Sequence, residues 1–193
     1  IAYSKSNKNH FINRGIDERK IETIKWPVFN FYDQNFDNNK LYDWIIMTWM
    51  PNETSPSFSQ SFTNILEDVL LLLKKLNYTK FAIKIKSPTE IEYVQSILTN
   101  NNIKADILHG FSTLHLKSGN NIIGGISSAV AEATYCDIPY YIYEDDILGN
   151  NSYIFKNSLY LDESYISRNI SDLEQNINNK RSLLDCKDLM LSL

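Results

Sequence analysis

Asn121-Ile122-Ile123-Gly124-Gly125-Ile126-Ser127-Ser128-Ala129-Val130-Ala131-Glu132-Ala133 leads through Cys136-Asp137-Ile138-Pro139 into Tyr140-Tyr141-Ile142-Tyr143. The short run Asn121–Ile123 reads as a buried strand, and Tyr140–Tyr143 as a second one. Between them the glycine pair supplies a sharp turn and lets a ligand come close. Ser127 and Ser128 then open a short helix, whose free N–H groups favour an anion. Glu132 falls past the slot that a capping box would use, so capping does not explain it. It is four residues from Ser128, hence on the same helix face. A phosphate at the serines and a ribose at Glu132 would fit one nucleotide; the plainer alternative is a well-capped helix with a glutamate in its first turns.

Working outward, helices and strands alternate on either side of this unit. Trp44–Trp49 is a continuous apolar run of the kind buried on both faces. Pro51–Ser59 follows as a loop, and Ser61–Leu76 carries apolar residues at helical spacing. Lys80–Ile85 is the next strand. Ser87-Pro88-Thr89-Glu90 then opens a helix with a capping serine, proline at the first position and glutamate three residues beyond. Ala105–Leu108 is a third strand, Gly110–Leu116 a short helix or irregular turn, and Ser158–Leu161 a candidate sixth strand. Asp162–Leu184 reads as a helical tail with Ile166, Ile170, Leu173 and Ile177 on one stripe.

Upstream, a helix ends at Gly15 and Ile24–Phe29 reads as a brief strand stopped by Pro27. Asp33–Lys40 reads as a loop or linker. This order predicts a doubly wound α/β domain with a mostly parallel sheet from about residue 41 to 193. Residues 1–40 are expected to be an interdomain segment or the remnant of an N-terminal domain. Ligands of such sheets bind beyond the strand C-termini.

The 193 residues are 43% hydrophobic and 22% charged, with a net charge of −4. That is an ordinary globular balance, and it argues against a nucleic-acid partner. Cys136 and Cys186 form neither a CxxC nor a zinc pattern, and the three histidines have no metal spacing. No apolar run approaches the length of a membrane span, and no signal peptide is visible, so a cytoplasmic location is expected. The start at Ile1 suggests a truncated chain.

Several residues at strand ends could carry chemistry. Lys86 and Ser87 would face the same crevice as Ser127 and Ser128, forming a phosphate cradle, or would be a solvated lysine before a capped helix. Lys84 reads as a strand residue. His109 could hydrogen-bond a base or sugar, or be an exposed loop residue. Glu144 could bind sugar hydroxyls, or simply precede a helix together with Asp145 and Asp146. Trp49 and Tyr143 end strands on the ligand side. No triad order, nucleophile elbow, Walker loop or GxGxxG fingerprint is present.

Two segments then resemble a family. Lys84-Ile85-Lys86-Ser87-Pro88 resembles a K-x-H-P turn. Ile123–Ala129, with Glu132-Ala133 and Ile138-Pro139, resembles a G-x-S-S-A…E-A…x-P segment. Both belong to the nucleotide-sugar-binding domain of GT-B glycosyltransferases of bacterial surface polysaccharides, of the sialyltransferase-like, capsule and teichoic-acid-polymerase-like groups. The stretch from Gly15 to Pro27 resembles what precedes that domain. The likeness covers about two thirds of the chain.

It implies a Rossmann-like half of a GT-B fold, a donor phosphate at Ser127 and Ser128, and no metal or other cofactor. The family's histidine is replaced here by Ser87. The candidate substrate-binding set is Lys86, Ser87, His109, Gly125, Ser127, Ser128, Glu132 and Glu144. The implied partners are a nucleotide-sugar donor, with CMP or CDP favoured, a glycan or lipid-linked acceptor, and a missing N-terminal domain. The implied place of action is the cytoplasm, including the inner face of a membrane. Two other readings stay open: a UDP-N-acetylhexosamine epimerase-like domain, and a non-catalytic sugar-nucleotide-binding or interaction module.

Overall fold

Six short strands hydrogen-bond side by side and all point the same way in this computed structural model, which describes residues 4–33, 39–49, 56–144 and 163–191. They are β1 (Tyr42–Met47), β2 (Phe81–Lys84), β3 (Ala105–Leu108), β4 (Gly119–Gly124), β5 (Tyr140–Tyr143) and β6 (Ile166–Ser167). Their order across the sheet is β3-β2-β1-β4-β5-β6, with every pair parallel. The predicted doubly wound parallel α/β architecture is therefore observed.

Alternation along each strand explains why both faces need cover. Trp44, Ile46, Phe81, Ile83, Ile123, Tyr141 and Tyr143 point to one face. There they pack against α3 (Pro56–Lys75), α4 (Ile91–Asn100) and the helix Ile170–Asn178. Ile45, Met47, Ala82, Ile122, Tyr140 and Ile142 point to the other face. Tyr32 of α2 (Val28–Asp33) covers them, with α5 (Ala129–Tyr135), Leu116 and Met190. The chain crosses from β3 to β4 through two short 3-10 turns, Ser112–Leu114 and Leu116–Ser118. Strand order reverses there, so the C-terminal ends of β1 and β4 flank a topological switch point.

The structure corrects several element boundaries. Ile24–Phe29 is not a strand: α2 starts at Val28, straight after Pro27, because proline suits the entry to a helix. β1 stops at Met47, two residues short of Trp49. α3 begins at Pro56, inside the expected 51–59 loop, whose residues 51–55 lie outside the described residues. The candidate strand Ser158–Leu161 also lies outside them. Ile166 sits on β6, not on a helical stripe, because the last long helix starts only at Ile170, capped by the Asn169 side chain. Residues 4–33 include α1 (Lys5–Asn13) and α2. Phe29 stacks on Tyr135 of α5 with ring centroids 4.1 Å apart.

Candidate functional site

Two βα turns flank β1 at the C-terminal edge of the sheet. The first follows β2. Its Glu90 carboxylate accepts the backbone N–H of Ser87 at 2.8 Å and of Lys86 at 3.1 Å, both through Oε1. The Ser87 hydroxyl accepts the Thr89 N–H at 3.3 Å, completing the predicted capping box. Ser87 is thus occupied in holding its own helix start. Lys86 is exposed. The protein around its ammonium nevertheless lowers its pKa, while Glu90 and then Glu144 pull it back up. Lys86 therefore feels a carboxylate at the end of β5, three strands away. Lys84 is buried and donates to the Ile85 carbonyl; burial lowers its pKa.

The second turn, Gly125–Ser128, follows β4. Neither Gly125 nor Gly124, which ends β4, has a positive φ, so no left-handed conformation requires them. Close packing does. A Cβ on Gly124 would come within 2.5 Å of the Tyr140 hydroxyl and 2.9 Å of Met47 Cβ. A Cβ on Gly125 would meet the Trp49 indole at 3.1 Å and Glu144 Oε1 at 3.5 Å. The expectation that these glycines exist to admit a ligand is corrected in part. The protein's own Tyr140 and Met47 use the space at Gly124; only Gly125 is half-open.

Three distant side chains brace this turn. Trp49, after β1, donates Nε1–H to the Tyr143 carbonyl at 2.8 Å. The Tyr140 hydroxyl donates to the Gly125 carbonyl at 2.8 Å. Burial raises its pKa, and a hydrogen bond with Ser127 opposes that rise. Glu144 Oε1 accepts the Ile126 N–H at 2.8 Å. Its other oxygen, Oε2, is buried and has no hydrogen-bond partner among the described residues.

The serine pair is divided by this arrangement. Ser127 is half-buried against Tyr140, whereas Ser128 is exposed and its hydroxyl makes no capping bond. The Val130 and Ala131 N–H groups bond back to the Ser127 and Ser128 carbonyls. Among the described residues, no acceptor takes the N–H of Ser127, Ser128 or Ala129. Three consecutive donors without an acceptor among the described residues, the exposed Ser128 hydroxyl and Lys86 on the same sheet edge suit a phosphate group.

Glu132 and His109 stand elsewhere. Glu132 is buried, and its Oε2 accepts from the Tyr32 hydroxyl at 2.6 Å, so α2 covers it. His109 follows the edge strand β3, three inter-strand spacings from β4, or roughly 14 Å. It is exposed, and its carbonyl lies 2.8 Å from His115 Nε2. The structure thus brings together Lys86, Gly125, Ser127, Ser128 and Glu144, with Ser87 beside them turned to its cap. Sequence reasoning had noted Trp49 only as a strand end. It missed Tyr140 as the brace of the turn, for which no local signal exists. Among the described residues no cluster of His, Cys, Asp and Glu could hold a metal, and no helix is long and apolar enough to cross a membrane.

No protein-family model matches the sequence, and no curated protein is significantly similar to it. Among solved structures the chain is similar to the catalytic domain of cholesterol-α-glucosyltransferase from Helicobacter pylori. Identity is 18% and the TM-score 0.48, over 75% of this chain and 93% of that one. It is similar to TarM at 14% identity and a TM-score of 0.47, over 99% of this chain and 37% of that one. It is also similar to HepE from Anabaena, solved in complex with UDP and glucose. There identity is 12% and the TM-score 0.46, over 99% of this chain and 58% of that one. The chain thus spans less than two thirds of TarM and of HepE.

Proposed function

We propose that this chain is the nucleotide-sugar-binding half of a GT-B glycosyltransferase that transfers a sugar to a surface glycan or polysaccharide. The observation that carries the reading is the turn after β4, at the switch point. It offers the N–H groups of Ser127, Ser128 and Ala129, which have no acceptor among the described residues, and the exposed Ser128 hydroxyl, on the edge where Lys86 also projects. Donors held rigidly by outside braces need no reorganisation when negative charge develops on a leaving phosphate. Lys86 adds a cation to the same edge. The motif resemblance favours a CMP- or CDP-linked donor. A second domain would supply the acceptor site and the catalytic base.

Calorimetric titration of CMP, CDP and UDP against the chain tests this. Saturable binding with a cytidine preference, weakened severalfold in Lys86→Ala, is the expected result. A uridine preference would favour the epimerase-like reading. A folded chain that binds none of the three is a non-catalytic module.

A further inference from the structure

The opposite edge of the sheet, where the strands begin, carries a second opening. A cleft of about 420 Å³ lies there, across the starts of β1, β2 and β3 and beside the end of α4. That volume falls within the range of about 300–1,000 Å³ usual for small-molecule sites. Its apolar lining is Leu41, Phe81, Leu98, Ile103 and Ala105. Leu41 is 54% exposed, so the cleft still offers apolar surface to solvent. β2 and β3 are four residues long, which puts the cleft roughly 13 Å from the turns at the C-terminal edge.

Charge is distributed unevenly around it. Phe81 pairs with Ala105 in the parallel register of β2 and β3. The residues just before them are Lys80 and Lys104, so two exposed lysines start neighbouring strands side by side, on backbones roughly 5 Å apart. Both line the cleft. Among the described residues neither ammonium has an ion-pair or hydrogen-bond partner. Two carboxylates stand at the same edge, and both are engaged. Asp43 Oδ2 accepts the Lys80 backbone N–H at 3.2 Å. Asp106 Oδ2 accepts the Tyr42 hydroxyl at 2.8 Å, which ties β1 to β3 across the start of β2. Like charges directly opposite each other on a sheet repel, and no ion pair among the described residues offsets that here.

We propose that this cleft binds a small amphiphilic anion, its carboxylate or phosphate head bridging Lys80 and Lys104 and its apolar body lying on Leu41, Leu98 and Ile103. An anion between the lysines attracts each and cancels their mutual repulsion. The Asp106 carboxylate repels such a head from its own neighbourhood, which favours one orientation, and a cationic amphiphile would meet two like charges. Carboxylate and phosphate heads share this chemistry, so fatty-acid and lipid-phosphate sources differ only in the head. The cleft and the turn after β4 lie at opposite ends of the strands, so the site stands apart from the nucleotide-sugar reading.

The test titrates octanoate, octyl phosphate, octylammonium and inorganic phosphate into the chain, below any micelle-forming concentration, and reads backbone amide NMR shifts. Octanoate or octyl phosphate should give saturable shifts at residues 79–82 and 103–106, with Ser127 and Ser128 unmoved. The head that binds more tightly identifies the source. At the same amides inorganic phosphate should bind far more weakly, for want of the apolar body. Lys80→Ser combined with Lys104→Ser should weaken the alkyl anion about tenfold, the worth of two exposed charge contacts. Thermal melting of that variant should stay level or rise, because the repulsion between the lysines is gone. Leu41→Ser should weaken the alkyl anion and leave inorganic phosphate unchanged.

A folded wild-type chain that shows no saturable shift at these amides overturns the assignment and leaves the nucleotide reading intact. Equal affinity in the lysine double variant, or octylammonium binding as tightly as the anions, overturns it too. Should the double variant not fold, salt decides in the wild type. Affinity for the alkyl anion should fall as ionic strength rises to about 0.15 M, where exposed charges are screened. An affinity indifferent to salt overturns the bridging of the two lysines.

Discussion

The turns on either side of β1 do similar jobs by opposite means. The turn after β2 is self-sufficient: Ser87, Thr89 and Glu90 satisfy one another within five residues of Lys86. The turn after β4 is held from outside, by Tyr140 and Glu144, which lie 15 and 18 residues beyond the groups they bond, and by the packing of Trp49. The consequence for function follows directly. A turn that caps itself consumes its own hydroxyl and N–H groups. A turn braced from elsewhere leaves its own polar groups free, and only the second kind can present a ready-made anion site.

The comparison breaks most visibly at Gly124. An alanine there would need Met47 Cβ, fixed to the backbone of β1, to move from 2.9 Å, and the buried Tyr140 hydroxyl to leave its place. Overpacking of this kind costs about 3 kcal/mol. In a chain of this length that lowers Tm by about 6–12 °C. A shift under 2 °C in a thermal melt would mean that the distant brace is soft and the comparison wrong.

The next effect belongs to the self-contained turn. Glu90→Ala strips the acceptor from two N–H groups, and a loss of about 1–2 kcal/mol is expected by urea denaturation. Ser87→Ala should cost about 1 kcal/mol. The double variant should cost less than the sum, since the two residues act as one unit. Strict additivity would show that the box is not cooperative.

These two turns also explain what could be read in advance. Ser87-Pro88-Thr89-Glu90 was legible because every bond it makes is local, and spacing alone encodes local bonds. β5 was legible to the residue, since a continuous apolar run between turn residues has few other uses in a sheet buried on both faces, and the bounds of β3 were read correctly too although Asp106 interrupts its apolar residues. The parallel sheet followed from alternation. Glu132 was expected beside Ser128 on one helix face, yet nothing near it in sequence announces that Tyr32, a hundred residues earlier, takes its carboxylate and that it is buried while Ser128 is exposed. His109 was correctly put at a strand end. That strand's position at the sheet edge depends on the order in which strands pair, which no local pattern records. The glycine pair marked the turn, yet the reason for each glycine lay in Tyr140, Met47 and Trp49.

A smaller effect separates the turns by pH. Burial holds the Tyr140 hydroxyl well above its ordinary value of 10.0. The unfolded chain therefore ionises first as pH rises, so this group's contribution is complete below pH 10 and is lost progressively above it. Each such group steepens the fall by up to about 1.4 kcal/mol per pH unit. Tyr140→Phe should cost about 1 kcal/mol at pH 8, from the lost bond to Gly125, but its stability should decline less steeply above pH 10. Cys136, pushed up to about 11, and Tyr141, pushed up to about 12, remain in both proteins, so they cancel in the difference. Parallel curves for the two proteins would place the Tyr140 hydroxyl in a more open setting than the braced turn requires.

The smallest structural effect should fall on the residue most exposed to a ligand. Ser128 sits at the helix start but does not cap it, so removing its hydroxyl takes away no capping bond. Ser128→Ala should change stability by less than about 0.5 kcal/mol, the range for a surface substitution. Ser127→Ala should cost more, because its hydroxyl lies against buried Tyr140. Nucleotide affinity should follow the reverse order, with Ser128→Ala weakening binding severalfold although the melt is unchanged. That crossing of the two rankings separates a serine that builds the turn from one that the turn displays. If Ser128→Ala leaves affinity untouched in a protein whose wild type binds nucleotide, the phosphate is held elsewhere on the sheet edge, and the freedom of this turn's donors has another purpose.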